Sequence, residues 1–332
     1  MHSMKPKFHE NYCPSAEQQA LFPDISGNAV NGLGDARRRR PSPLYWFDPD
    51  TISHGPLQKY FYQNAERLSA DRQESTKDES KRGPKELEPV AATRVTDTAE
   101  NWSRRVKEFA LAHEADLAGI ARVREEWVFD GHEVPEQWMI VLGFAMDQRE
   151  LAKGPPRKED LSSADEVSRQ YNRAARAAKA LANFIRGLGW DAVARTGPWS
   201  GDITMIPAAI ESGLGQLGKH GSVINDVYGA SFRLGAVTTD LPLIANAPRD
   251  IGVDDFCTQC QVCTKLCPPD AIFEEKQIVR GDLKWYVDFD KCIPYFNDTL
   301  GCGICIAVCP WSLPGVAPKL TQKMLRRRER DG

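Results

Sequence analysis

The sequence predicts an α+β chain with a small cysteine-rich module at its C-terminal end. Three observations carry that expectation. Eight of the nine cysteines lie in the last quarter of the 332 residues, in two sets that each end in Cys-Pro. A long amphipathic helix is written between about Ala164 and Arg186. The continuous apolar run from Trp138 to Met146 has the length and character of a buried strand.

The length allows about two domains, at roughly 150 residues each. Apolar residues make up 41% and charged residues 27%, with a formal charge of −3, as in an ordinary globular protein. Nucleic acid is not an expected partner, because such binders usually carry a basic excess. No apolar run reaches the roughly 18 residues that span a bilayer. MHSMKPKFHENYCPS lacks an apolar segment, and PSPLYWFDPD, after Arg37-Arg38-Arg39-Arg40, has prolines and acids where an export signal would be apolar. A cytoplasmic setting is therefore expected, which also disfavours disulfides.

Residues 1–97 read as an extended segment followed by a charged linker, crowded between Glu66 and Glu88. A folded domain is expected over 98–250, opening with a helix through Trp102, Val106, Phe109 and Ala110. In the long helix, Ser163 and Glu166 suggest a capping box, and Gly187 and Gly189 suggest its end. Val167, Tyr171, Ala174, Ala178, Leu181 and Ile185 fall on one face. A tyrosine on that stripe needs a partner or a cavity for its hydroxyl. The following stretch, SGLGQLGKHGSVI, is rich in glycine but matches neither GxGxxG after a strand nor a phosphate loop, since His220 follows Gly218-Lys219. FRLGAVTTD reads as a strand. The cysteine module is placed at 251–315 and a basic tail at 316–332.

Cys257, Cys260, Cys263 and Cys267, with Pro268 behind them, follow the C-x2-C-x2-C-x3-C-P spacing of proteins that bind two [4Fe–4S] clusters. In that arrangement the fourth cysteine crosses to the other cluster. The second set is Cys292, Cys302, Cys305 and Cys309, followed by Pro310. Crossed ligation gives cluster A as Cys257, Cys260, Cys263 and Cys309, and cluster B as Cys267, Cys292, Cys302 and Cys305. Structural zinc more often uses separated CxxC pairs, and unligated core cysteines would not repeat the Cys-Pro ending. Cys13 stands apart and is not an expected ligand. Such a ferredoxin-like module moves single electrons, and the domain before it is the expected home of their acceptor.

Several segments occur in a telling order: ADLAGIARV, WMIVLGFAMD, LANFIRGLGWDAV, SGLGQLGKHGSVI, YGASFRLGAVTTDLPL and the two cysteine sets. Together, over roughly Ala115 to Leu313, they resemble the core of cobalamin-dependent reductive dehalogenases. The resemblance implies a nitroreductase-like core that holds a base-off cobalamin, capped by the two-cluster module. It implies an organohalide substrate and an external electron donor such as a ferredoxin, a flavodoxin or a reductase domain. It assigns the corrinoid cradle to Gly213, Gly215, Gly218, His220 and Tyr228. It gives the role of proton donor to Tyr171, supported by Arg233, with Lys219 as the alternative partner. A cation beside a phenol favours the phenolate, which suits a donor that must be recharged.

Two other functions compete with that one. Epoxyqueuosine reductase, a more distant relative that modifies tRNA, uses the same cofactors. In that branch Asp202 would be the acid, although a turn role suits SGDITMIP better. The basic KLTQKMLRRRERDG tail lacks aromatic interleaving and reads as a solvated helix end. The third possibility is an electron-transfer protein that binds no corrinoid. Asp130-Gly131-His132 begins the D-x-H-x-x-G signature of cobalt-ligating histidines, but Pro135 replaces its glycine. No histidine ligand to cobalt is expected, and His132 is read as a surface loop residue.

Overall fold

A computed structural model of the chain describes residues 12–68, 74–199 and 201–331. The N-terminal part holds two single-turn helices, α1 (Ala16–Gln19) and α2 (Gly27–Val30), and the longer α3 (Gly55–Leu68). Side chains of this part turn toward the cysteine module. Gln18 donates to the carbonyl of Pro294 and to Asp298, Tyr45 donates to Asn297, and Asn28 donates to Asp288. A segment expected to lie extended is thus anchored to one end of the molecule.

The charged stretch that follows is also docked. A 3-10 turn at Glu79–Arg82 buries Arg82, which donates 2.6 Å to the carbonyl of Gly197. Further on, the amides of Ala91 and Val95 donate to the carbonyls of Arg186 and Leu188.

Thr98 caps α4 (Ala99–Ala112), and its hydroxyl accepts from the amide of Asn101. Next come β1 (Leu117–Arg122), β2 (Trp138–Ala145), the short α5 (Gln148–Leu151), α6 (Ser162–Gly187) and β3 (Ala192–Arg195). Then follow α7 (Ile206–Glu211), a small hairpin of β4 (Gln216–Leu217) and β5 (Val223–Ile224), and β6 (Phe232–Thr239). The main sheet is antiparallel with strand order β1-β2-β6-β3, and Ile140 of β2 pairs with Ile120 on one side and Val237 on the other.

The continuous apolar run has a simple cause: β2 is central and both of its faces are covered. Ile140, Leu142 and Phe144 join Trp102 and Val106 of α4 and Ala178, Leu181 and Ile185 of α6. Met139 and Val141 point the other way, toward Ala208 and Ala209 of α7. Leu181→Ala should cost about 2–5 kcal/mol, because α6 is held between the sheet and the docked stretch of residues 79–95 and cannot collapse onto the void. Chemical denaturation of the iron-loaded chain measures this. A loss under about 1 kcal/mol would contradict the packing described.

The expected start of α6 needs correction. The helix begins two residues earlier, and neither Ser163 nor Glu166 caps it. Ser163 is buried without a hydrogen-bond partner among the described residues. Glu166 reaches the amide of Asp147 at 2.8 Å and pairs with Arg169. Tertiary bonds to the loop after β2 outweigh the local box.

The C-terminal part contains α8 (Val253–Gln259), α9 (Val262–Lys265), a ribbon of β7 (Gln277–Val279) and β8 (Asp282–Lys284), α10 (Phe289–Asp298), α11 (Ile304–Ala307) and α12 (Ala317–Asp331). Its core mixes Cys257, Trp285, Trp311 and Met324 with Met146, Leu151 and Ile224 from the sheet domain. The two parts therefore share packed apolar surface. No helix among the described residues is long and apolar enough to cross a membrane.

Candidate functional site

Short helices and turns aim the eight thiols inward. Cys257 rides on α8, Cys260 ends it, Cys263 lies in α9, and Cys267 follows one turn later. Cys292 is on α10 and Cys305 on α11, with Gly303 at positive φ turning the chain between Cys302 and Cys305. Cys257, Cys260, Cys263 and Cys309 line one small cavity together with Lys219, His220, Phe256, Pro310 and Trp311. The other four are mutual electrostatic neighbours: Cys302 feels Cys292 and Cys267, and Cys305 feels all three. Cys305 also feels Cys263, so the two quartets adjoin.

Among the described residues, no three cysteine, histidine or carboxylate side chains converge on one metal ion. Thiols ranged around a cavity instead suit an iron–sulfur cube, whose sulfurs stand apart with irons between them. Burial pushes Cys257 up to about 11 and Cys263, Cys292 and Cys309 up to about 12. Bare thiolates are costly there, and bound iron would supply the offsetting positive charge. Main-chain donors are already in place. The amide of Ala271 reaches Cys267 Sγ at 3.3 Å, and Lys219, Ile304 and Trp311 donate to Cys257, Cys302 and Cys309.

A second cavity, of about 260 Å³, lies at the end of the sheet domain. Tyr171 of α6 and Arg233 of β6 line it, among Phe129, Pro198, Trp199 and Phe232. The main chain passes close to the tyrosine at Gly197, where a Cβ would stand 2.5 Å from the ring. Arg233 places its guanidinium 5.2 Å from the centre of the Tyr171 ring. Its buried Nε finds no hydrogen-bond partner among the described residues. Such an orphaned donor is an anchor in search of an acceptor.

These polar groups fit the substrate side of a corrinoid site. The cavity opens to solvent, so its volume measures the room beside Tyr171 and Arg233 and not the room for a macrocycle outside it. Cavities of about 150 Å³ take benzene and ligand pockets run to about 1,000 Å³. At its size this one holds a single small organic molecule.

The glycines expected to cradle a corrinoid lie against neighbouring chain. Gly213 has φ +75°, and an added Cβ would meet the carbonyl of Ala247 at 2.6 Å. A Cβ on Gly215 would strike the Ile224 carbonyl at 2.2 Å, and one on Gly218 would meet the Ile224 side chain. Gly215 and Gly218 thus pack within the β4–β5 hairpin, and Gly213 against the segment after β6. Tyr228 packs against the apolar layer beneath α7, and its amide donates to Asn225. Burial lowers His220 to about 4, so its ring is neutral, and it lines the thiol cavity.

Lys219 is parted from Tyr171. The two line different cavities, and the ammonium lies 4.9 Å from the centre of the Trp285 ring. Asp202 accepts from Arg195 and from His132 Nδ1 at 2.9 Å. Burial raises its carboxyl, but these two bonds outweigh that and leave it below the ordinary range. This is a structural role, in line with the turn reading. His132 is half-buried against Phe47 and is more than a surface loop residue. Arg82, which ties the Glu79–Arg82 turn to the cavity wall at Gly197, gave no sequence signal because it sits inside a charge run.

Residues 256–313 match the family described as a 4Fe-4S dicluster domain. Tetrachloroethene reductive dehalogenase of Sulfurospirillum multivorans is 34% identical over 183 residues, which cover 52% of this chain and 35% of that protein. The Desulfitobacterium hafniense protein of the same name is 33% identical over 212 residues, covering 59% of this chain and 37% of its own length. An epoxyqueuosine reductase from Cyclobacterium marinum is 34% identical over 121 residues, 31% of this chain and 35% of that protein. The chain thus spans just over a third of the length of the curated relatives it matches.

Among solved structures, a catabolic reductive dehalogenase in complex with 3-bromo-4-hydroxybenzoic acid superposes with a TM-score of 0.67 at 21% identity. It covers 85% of this chain and 40% of that one. A second reductive dehalogenase structure reaches 0.71 at 19% identity, covering 94% of this chain and 47% of its own. The chain is therefore similar in sequence to reductive dehalogenases over about half of its length and shares their fold, and residues 256–313 match a 4Fe–4S dicluster domain.

Proposed function

We propose that the chain acts as a reductive dehalogenase, an oxidoreductase that delivers two electrons and a proton to an organohalide and releases halide. One observation carries this reading. The hairpin from Gly215 to Ile224 joins the two cavities, with Lys219 and His220 in the thiol cavity and Ser222 and Val223 in the Tyr171 cavity. Electrons leaving cluster A would have only the width of that hairpin to cross. Cysteines 257, 260, 263 and 309 hold cluster A in this reading, and cysteines 267, 292, 302 and 305 hold cluster B.

Phe129, Trp199 and Phe232 around the second cavity suit an aromatic ring, which favours a halogenated aromatic substrate. The hydroxyl of Tyr171 gives the proton that replaces the halide. Arg233 holds the phenol ring in place and offers its spare N–H to an anionic group of the substrate. When bound, a base-off cobalamin supplies the strongly reducing metal that carbon–halogen reduction requires.

The packing of Gly213 and Gly215 against neighbouring backbone favours a second reading, a two-cluster electron-transfer protein with no corrinoid. Anaerobic purification followed by metal analysis and halide-release assays on bromo- and chlorophenols separates the two. Dehalogenation predicts about eight irons per chain, stoichiometric cobalt after reconstitution with cobalamin, and free halide. Iron without cobalt or halide leaves only the conductor. Turnover of epoxyqueuosine-containing tRNA without halide release would move the assignment to the tRNA-modifying relatives.

A further inference from the structure

Two buried nitrogen donors enter the thiol cavity from the sheet domain, and neither has a task in the chemistry above. Lys219 is 1% exposed and His220 5%. Neither Lys219 Nζ nor His220 Nε2 has a hydrogen-bond partner among the described residues. His220 Nδ1 accepts from the amide of Ser222 at 3.2 Å, which leaves the ring proton on Nε2 as a donor. The main-chain amide of Lys219 donates to Cys257 Sγ, and the charge of its side chain bears on Cys257 and Cys263.

A buried ammonium with no bonded partner is costly unless an anion faces it. The face of Trp285 offsets part of that cost. A thiolate-ligated cube is an anion that gains a further negative charge on reduction, and it would offset the remainder.

We propose that Lys219 and His220 are donors to the sulfurs of cluster A, that they hold its reduction potential above that of cluster B, and that they thereby direct electrons from B to A. Charge, and hydrogen bonds to sulfur, are levers that set the potential of such clusters. The surroundings of the two quartets differ in the required sense. Asp270, itself 3.7 Å from Lys291, bears on Cys267 and Asp288 bears on Cys292, whereas Lys219 bears on Cys257 and Cys263. An acid, Asp254, does bear on Cys257, but it is already engaged by Lys276 at 2.7 Å and by Trp285 Nε1 at 3.0 Å. The inference rests on crossed ligation of the clusters and not on dehalogenation, so it stands or falls without a substrate.

The test is a potentiometric titration of the anaerobic, cluster-loaded full chain, followed by electron paramagnetic resonance. Cys309→Ser and Cys292→Ser identify the signals of A and B. Lys219→Met, which keeps the length and apolar stem, should make reduction of cluster A about tenfold less favourable, a shift of about 59 mV to lower potential. Cluster B should not move. Lys219→Arg should stay near the parent value, and His220→Phe should produce a smaller fall in the same signal. A Lys219→Met protein with full iron and an unmoved cluster A, or with both clusters moved equally, overturns the proposal. Should that variant fail to load cluster A, His220→Phe decides: full iron with an unaltered potential overturns it equally. If the signal lost in Cys309→Ser is not the one shifted by Lys219→Met, crossed ligation fails instead.

Discussion

Tyr171→Phe should lose about 10²–10⁴-fold in halide release, the usual worth of a positioned proton donor, while its iron content and its cluster spectra stay unchanged. The ring is held from two sides, by the main chain at Gly197 and by the guanidinium of Arg233. Removing the hydroxyl therefore deletes one group without moving the others. Arg233→Lys keeps the charge but gives up the planar group over the ring. It should slow the reaction less than Tyr171→Phe does and weaken the binding of anionic halophenols more. Single-turnover measurements in water and in heavy water complete the argument. The parent should show a solvent isotope effect on the proton-transfer step, and the phenylalanine variant a different one, because its proton must come from solvent. Full activity in Tyr171→Phe would remove the tyrosine as donor and leave the cavity a binding site only.

Some of this could be read from the residues alone, and the reasons are physical. The run from Trp138 to Met146 announced a strand covered on both faces because a central strand has no solvent side to alternate with. The cysteine sets were legible because thiol spacing is fixed by the turn that must wrap a cube. Tyr171 and Arg233 were brought together by the resemblance and not by periodicity, since 62 positions separate them. What the residues concealed were contacts made at a distance. Arg82 looks like one charge among many until the carbonyl of Gly197 is placed beside it. Lys219 and His220 lie in a glycine-rich stretch that suggests a loop around a ligand. In the fold Gly213 and Gly215 admit neighbouring backbone, Gly218 admits the Ile224 side chain, and Lys219 and His220 are turned into the thiol cavity. The capping signal at Ser163 failed for the same reason, because Glu166 had a stronger use elsewhere.

Loss of cluster B should reach much further than the module that holds it. Cys292 stands on α10, and α10 is also the floor on which the N-terminal part rests. The amide of Phe289 donates to Asn28, Gln18 bonds to Asp298, and Tyr45 and Asn64 both bond to Asn297. Around these bonds, Leu57 and Ile293 form a small apolar cluster with Tyr45. A cluster bound only by the folded state lends several kcal/mol to that state, and the other ties of α10 to the module gather at its first turn, where the Asp288 amide meets the Ala271 carbonyl and Lys291 meets Asp270. Cys292→Ser should therefore halve the iron content and expose residues 12–68 to protease about tenfold faster than in the parent, as expected of a local unit released from its anchor. Cys267→Ala should do the same if the cysteine crosses to cluster B. Cys309→Ser also halves the iron, but it should leave the N-terminal part protected, because the surroundings of cluster A are α8, α9, the Pro310–Trp311 turn and the β4–β5 hairpin. Iron analysis paired with limited proteolysis distinguishes the three variants. Equal protection of the N-terminal part in all of them would mean that α10 keeps its shape without iron, and that the N-terminal part is held by its own bonds alone.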